Sequence, residues 1–176
     1  MSEILLGVGG GIAAYKAAAL ASALVQRGHG VRVAMTPAAQ RFIGALTFDG
    51  LTGRRSIVSS TQVDPDGSAP HLVATAAAEV LVVAPATADL LAKLAAGVCD
   101  DPVTLAAVVC RAPLLLCPAM NDAMWQSAAV ERSVAALRQA GARFAGPVVG
   151  HLAEGYDAIG RMLEPAQIVA EIETLL

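Results

Sequence analysis

Ile4-Leu-Leu-Gly-Val-Gly-Gly-Gly-Ile-Ala-Ala-Tyr-Lys16 is the stretch on which the fold turns. Its apolar run, Ile4 to Val8, stops in Gly9-Gly10-Gly11, and from Ile12 to Gln26 apolar residues recur at helical spacing before Arg27-Gly28. The order is strand, glycine turn, helix. Such a turn leaves backbone N–H groups at a helix N-terminus unscreened by side chains, which suits a phosphate. The same glycines also serve where helix and strand merely pack closely, and both readings are open. Two familiar phosphate signatures are excluded, because Ile12 stands where GxGxxG needs its last glycine and no Gly-Lys-Ser/Thr follows. A dinucleotide site would want an acidic residue after the second strand, where Ala34-Met35-Thr36 has none; a mononucleotide fits better.

Outward from this unit the pattern repeats. Val31 to Met35 reads as a strand with Thr36-Pro37 opening a helix, Val80 to Ala84 as a strand followed by Pro85 and a helix over Ala88 to Ala96, and Leu114 to Cys117 as a buried strand. A helix is expected over Ala128 to Ala140, a short strand around Ala142 to Ala145, and a terminal helix from Pro165 to Leu176 with proline in its first turn. Strands that alternate with helices and are apolar on both faces form a parallel sheet covered on each side. The expected fold is therefore α/β, a three-layer Rossmann-like sheet of flavodoxin type, with residues 1–176 as one domain. Ser59 to Pro70 is the longest loop. Gly146 to Glu164, with four glycines, is a second irregular region and a candidate substrate clamp, or else a plain surface connection.

The chain is 56% apolar and only 15% charged, against about 25% charged for an average soluble protein. So little charge points to self-association, since large apolar patches are uncommon on soluble monomers; alanine richness is the competing explanation. No apolar run reaches the roughly 18 residues of a membrane span, and Met1-Ser-Glu lacks a signal peptide's basic flank, so a cytoplasmic location is expected. A net charge of −3 without a basic cluster excludes a nucleic-acid surface. Cys99, Cys110 and Cys117 have neither metal-ligand spacing nor an even count, so no metal and no disulfide is expected, and all three read as reduced, buried residues.

Several segments together resemble the homo-oligomeric flavin-containing cysteine decarboxylases. They are Gly10 to Lys16, Met35 to Ala39 with Arg41-Phe42, Leu46-Thr-Phe48, His71-Leu72, Pro85-Ala-Thr-Ala88, Asp100-Asp101, Pro118-Ala-Met-Asn-Asp-Ala-Met-Trp125 and Gly160-Arg-Met162. The segment from Pro118 to Trp125 is the most specific. The resemblance implies FMN held between neighbouring subunits of a trimer, often assembled into a dodecamer. It further implies that Gly10 and Gly11 meet the phosphate, Thr36 and Phe42 contact the flavin or its ribityl chain, and Pro85, Ala86, Thr87 and Ala88 line the ring pocket with Met120. His71 is the implied base and Asn121 the implied holder of the substrate carboxylate. Met124, Ala153, Gly155, Arg161 and Met162 are implied around the substrate. From the residues alone, Phe42 and Met120 fit a core equally well. His71 opens an apolar helical stretch after Pro70, where the helix's positive end disfavours its cation; a solvent-facing loop histidine is the alternative, and the reading given to His29 and His151.

The implied reaction is FMN-dependent decarboxylation of a terminal cysteine carboxylate, in the coenzyme A branch that of 4'-phosphopantothenoylcysteine to 4'-phosphopantetheine. The chain departs from that branch at the clamp, which commonly reads Ala-Cys-Gly. Here it is Ala153-Glu154-Gly155, followed by Tyr156-Asp157. A carboxylic acid can deliver the proton that the cysteine would, provided that burial raises its pKa. Without that step the product stays an ene-thiol, as in relatives that oxidatively decarboxylate the C-terminal cysteine of a ribosomal precursor peptide. A reading of another class is a flavin-binding regulatory protein without catalysis; His71 and Asn121 together speak against it.

Overall fold

The computed structural model describes residues 1–176. Five strands, β1 (Glu3–Val8), β2 (Gly30–Met35), β3 (Val80–Ala86), β4 (Leu114–Pro118) and β5 (Arg143–Phe144), form one parallel sheet in the order β2-β1-β3-β4-β5. Side chains on successive residues point to opposite faces. Ile4, Leu6 and Val8 therefore pack on one side, with Val80, Val82 and Ala84, while Leu5, Leu81 and Val83 pack on the other. The first side is covered by α1 (Ala14–Gln26), α2 (Ala45–Thr52) and α8 (Pro165–Glu173), which contribute Leu20, Leu24, Phe48 and Ile168. The second is covered by α3 (Pro70–Ala77), α4 (Ala88–Ala96), α5 (Pro102–Val109) and α7 (Ala128–Gln139), through Ala74, Leu90, Val103 and Val134. This is the expected three-layer, flavodoxin-type arrangement. No helix is long and apolar enough to cross a membrane.

The buried face of α1 is Ala14, Lys16, Ala17, Leu20, Ala21 and Leu24, the spacing that the sequence led us to expect. Lys16 is the unusual member. Its Nζ donates to Glu164 Oε1 at 2.8 Å and to Met162 O at 3.4 Å, so a buried ammonium ties α1 to the start of α8. Glu164 is held below the usual carboxylate range, first by the Lys16 hydrogen bond and then by that of Arg161.

Several expectations need correction. Helix α1 opens at Ala14 rather than Ile12, and no helix opens at Thr36-Pro37; Thr36 Oγ1 instead accepts from Ala39 N at 3.0 Å and closes a single 3₁₀ turn, Ala39–Arg41. Strand β3 runs through Pro85 to Ala86. The expected loop from Gly146 to Glu164 contains an antiparallel hairpin, β6 (Val148–His151) with β7 (Asp157–Arg161). Helix α5 was not anticipated, although Asp101 announces it: Asp101 Oδ1 accepts from Val103 N at 2.8 Å and Thr104 N at 3.1 Å, and Pro102 fills the first turn. Among the cysteines only Cys117 is buried. Cys99 is exposed and Cys110 half-buried, and all three are free thiols.

Along its outer side, β2 makes an isolated parallel bridge from Ala34 to Ile57. At the other margin β5 is two residues long, with the Arg138 guanidinium 5.0 Å from the centre of the Phe144 ring.

Candidate active site

In an open parallel sheet the ligand crevice lies beyond the carboxyl ends of the strands, where the strand order reverses. Here that point falls between β1 and β3. The loop after β1 and the end of β3 meet closely: a Cβ on Gly9 would overlap Pro85 O, and one on Gly10 would overlap Ala38 Cβ and lie 2.7 Å from Ala38 C. Gly9 and Gly10 are thus required by packing. Gly11 is different, since its nearest neighbour to a Cβ would be Thr87 Cγ2 at 3.5 Å. No side chain caps α1, and the amides of Gly10, Gly11, Ile12 and Ala13 donate to no protein acceptor. Four consecutive free donors at the N-terminus of a 13-residue helix form an anion cradle.

Around this cradle the sequence-predicted cofactor residues divide. Thr87 caps α4, its Oγ1 accepting from Leu90 N at 3.3 Å, and stands beside Gly11. Phe42 lies on the surface at the end of the 3₁₀ turn rather than in a core. Thr36 is buried and its oxygen already accepts from Ala39 N. Pro85 and Ala86 are buried within β3, and Ala86 packs in the core.

The second part of the site grows from β4. After Pro118 the chain turns out of the sheet, and Met120 N donates to Gly160 O at 3.1 Å, joining the segment to β7. Gly160 makes that approach possible: its φ is +139° and a Cβ there would overlap Met120 O. Asn121 caps the short helix α6 (Asp122–Trp125), Oδ1 accepting from Ala123 N at 2.8 Å. That bond fixes which side of the amide carries the nitrogen. Asn121 Nδ2 donates to Glu154 Oε1 at 2.9 Å and to the Tyr156 hydroxyl at 3.1 Å, and Tyr156 donates to Asp122 Oδ1 at 2.7 Å. The Asp122 hydrogen bond raises the Tyr156 phenol above its ordinary pKa, with the Asn121 amide acting in the opposite direction.

Asn121 and Glu154 are thus brought into direct contact. Ala153 and Gly155 flank Glu154 on the exposed turn of the hairpin, and Met124 is exposed on α6. A mostly apolar hollow of about 440 Å³ brings Met124 together with Ala88, Ala123 and Val130. Arg161 donates to Glu164 Oε1 at 2.6 Å. Met162 is 1% exposed, in the core with Cys117 and Ile168. Burial also raises the Cys117 thiol.

His71 lies in the first turn of α3, its Nδ1 buried without a hydrogen-bond partner. The layer holding it packs in the order α3, α5, α4, α7, with α6 against α7. His71 and Asn121 consequently occupy opposite flanks, and one chain does not bring them together. Sequence reasoning passed over Tyr156 and Asp122, and treated Gly160 only as part of a motif. No spacing announces their pairing, which forms when the hairpin's fold brings Tyr156 onto Asn121 and Asp122.

A doubly wound sheet with an anion cradle at its switch point defines an α/β protein of the flavodoxin-like class. The chain belongs to the Flavoprotein family, whose sequence model matches residues 1–176. It is similar to the coenzyme A biosynthesis bifunctional protein CoaBC of Vibrio vulnificus (strain YJ016), 43% identical over 173 residues, 97% of this chain and 43% of that one. The chain thus spans less than half the length of this curated relative. Among solved structures it resembles a mutant PPC decarboxylase complexed with pantothenoylaminoethenethiol (TM-score 0.86, 27% identity, 98% of this chain and 97% of that one). It also resembles the FMN-dependent cysteine decarboxylase TvaF from thioviridamide biosynthesis (TM-score 0.77, 34% identity, 84% and 91%). The family resemblance read from the sequence holds, and a flavin is the family's cofactor. The four free amides, with Gly11 open above them, fit its phosphorylated end.

Proposed function

We propose that residues 1–176 form an FMN-dependent cysteine decarboxylase unit that acts in the cytoplasm on 4'-phosphopantothenoylcysteine and yields 4'-phosphopantetheine. The observation that carries this reading is Asn121: an amide of fixed orientation beside the crevice, already bearing a carboxylate, that of Glu154. The free amides of Gly10 to Ala13 receive the FMN phosphate, and Thr87, Ala88 and Met120 border the ring. Bound FMN supplies oxidation of the cysteine side chain to a thioaldehyde, an electron sink beta to the carboxylate. Asn121 holds that carboxylate by a neutral donor, so that neutral CO2 can leave while the electron pair of the broken C–C bond passes into the thiocarbonyl group as an ene-thiolate. His71 acts as base, its unpaired Nδ1 awaiting a partner. Because His71 and Asn121 lie on opposite flanks, the complete site joins His71 of one subunit to Asn121 of the next, in a trimer or an assembly of trimers. The exposed Ile12, Tyr15, Phe42 and Leu46 give such an assembly apolar surface.

Glu154 supports a second reading. It stands on the exposed hairpin turn where the coenzyme A branch has its cysteine. If it delivers no proton, the product is the ene-thiol, and the substrate class extends to peptides ending in cysteine. Incubation of FMN-loaded protein with phosphopantothenoylcysteine, and separately with a peptide ending in cysteine, each without oxygen and again with oxygen as the oxidant that restores the flavin, followed by mass spectrometry, decides. Loss of CO2 alone from the former is the expected result. Loss of CO2 with two hydrogens establishes the oxidative reading, and turnover of neither by yellow protein overturns both.

A further inference from the structure

A side-chain amide nitrogen has two protons to donate. In Asn121 both are engaged within the chain, one by Glu154 Oε1 and one by the Tyr156 hydroxyl, so none remains for an incoming carboxylate. The two acceptors differ in how firmly they are held. Tyr156 is fixed from behind by its own donation to Asp122 Oδ1 at 2.7 Å. Glu154 makes no other hydrogen bond, is exposed, and precedes Gly155, whose φ of +92° forms the tip of the hairpin turn. It is the acceptor that can leave. It is also a carboxylate, the same group that the substrate is to present.

We propose that Glu154 is a built-in surrogate for the substrate carboxylate, occupying its seat on Asn121 in the empty enzyme and yielding that seat when substrate arrives. Tyr156 is a positioning residue that keeps its hydrogen bond through the exchange and holds the amide in register. The inference rests on the reading of Asn121 as the carboxylate seat. Its chemical consequence is discrimination. A ligand with a carboxylate replaces one charge-assisted hydrogen bond by another, whereas a ligand without one displaces Glu154 with no return. Once CO2 has left, the product is of the second kind, and Glu154 reclaims the amide. The seat thereby favours substrate entry over product retention.

The test is calorimetric titration of the FMN-loaded protein with the serine analogue of phosphopantothenoylcysteine, in which a hydroxyl replaces the thiol, and with the decarboxylated counterpart of that analogue. Removing an internal competitor raises apparent affinity by the factor it had withheld. Glu154→Ala is expected to bind the serine analogue about 3- to 10-fold more tightly than the unaltered chain, with Glu154→Gln between them. Tyr156→Phe, which frees an amide proton but loses the register, is expected to weaken the serine analogue severalfold while leaving the decarboxylated ligand unaffected. Fluorescence of Trp125, the single tryptophan, checks that each variant keeps α6 folded. Equal or weaker binding of the serine analogue to Glu154→Ala overturns the surrogate role. If the unaltered chain prefers the carboxylate ligand and Asn121→Ala abolishes that preference, this failure leaves the seat intact. If there is no preference to abolish, the seat falls and the surrogate with it.

Discussion

Asn121 owes its usefulness to the bond on its other side, where Ala123 N claims the amide oxygen and forces the nitrogen outward. Asn121→Asp keeps that cap but puts a negative charge against the substrate's own. We expect Asn121→Ala and Asn121→Asp each to lower kcat/KM at least about 100-fold while the flavin spectrum is retained; near-normal turnover in both would remove Asn121 from the site. The glycines beside the crevice separate packing from binding. Gly10→Ala drives a methyl into the Ala38 backbone and should cost about 1–3 kcal/mol in denaturant unfolding. Gly11→Ala meets only ordinary contact at 3.5 Å, so stability should change by less than about 0.5 kcal/mol, and loss should appear in flavin affinity instead. Glu164 carries a pH dependence of definite sign. Its folded pKa lies below its unfolded value, so its stabilisation is present above the ordinary carboxylate range and is lost as pH falls through the folded value. Glu164→Gln should therefore narrow the stability difference between neutral and acidic pH, measured as unfolding midpoints across that interval, because it leaves Lys16 with neutral acceptors only.

At the scale of elements, the hairpin β6–β7 is held to the sheet through Gly160 and Met120. Gly160→Ala, with its positive φ and its contact with Met120 O, should release the hairpin: faster amide exchange over 148–161 and lower activity, with the five-stranded sheet unchanged. Uniform exchange across both regions would count against that hinge. This hairpin is also where the sequence was least legible. Val148 and Val149 are both exposed neighbours, so no alternation of apolar and polar residues marks a strand, and the glycines read as loop. Helix α5 was missed for the opposite reason: Pro102 to Val109 is so evenly apolar that no face stands out, and only the Asp101 cap betrays it. By contrast α1, β1 and β3 were legible because continuous apolar runs and a 3.6-residue period admit one reading. The Asn121 segment was visible as a motif, whereas Tyr156 becomes the partner of Asn121 and Asp122 only once β7 folds back onto Met120.

For the whole molecule, the separation of His71 from Asn121 predicts complementation. Chains carrying His71→Ala and chains carrying Asn121→Ala, each inactive alone, should regain about one quarter of full activity when co-expressed in equal amounts, because random assembly in a ring gives each junction one chance in four of pairing both intact residues. Activity no higher than that of either parent would show that each site lies within one chain. The sheet margins bear on how such assembly proceeds. Ile57 hydrogen-bonds along the free side of β2, with Met35 N donating to Ile57 O at 2.9 Å and Ile57 N to Val33 O at 2.8 Å, and the opposite margin offers only Arg143 and Phe144. Neither side presents a long row of vacant backbone groups to a second sheet. Growth by adding strand to strand is blocked at both ends, so the proposed assembly is left to the helices and the crevice rim, and concentrating the protein is expected to fill finite rings rather than seed fibres.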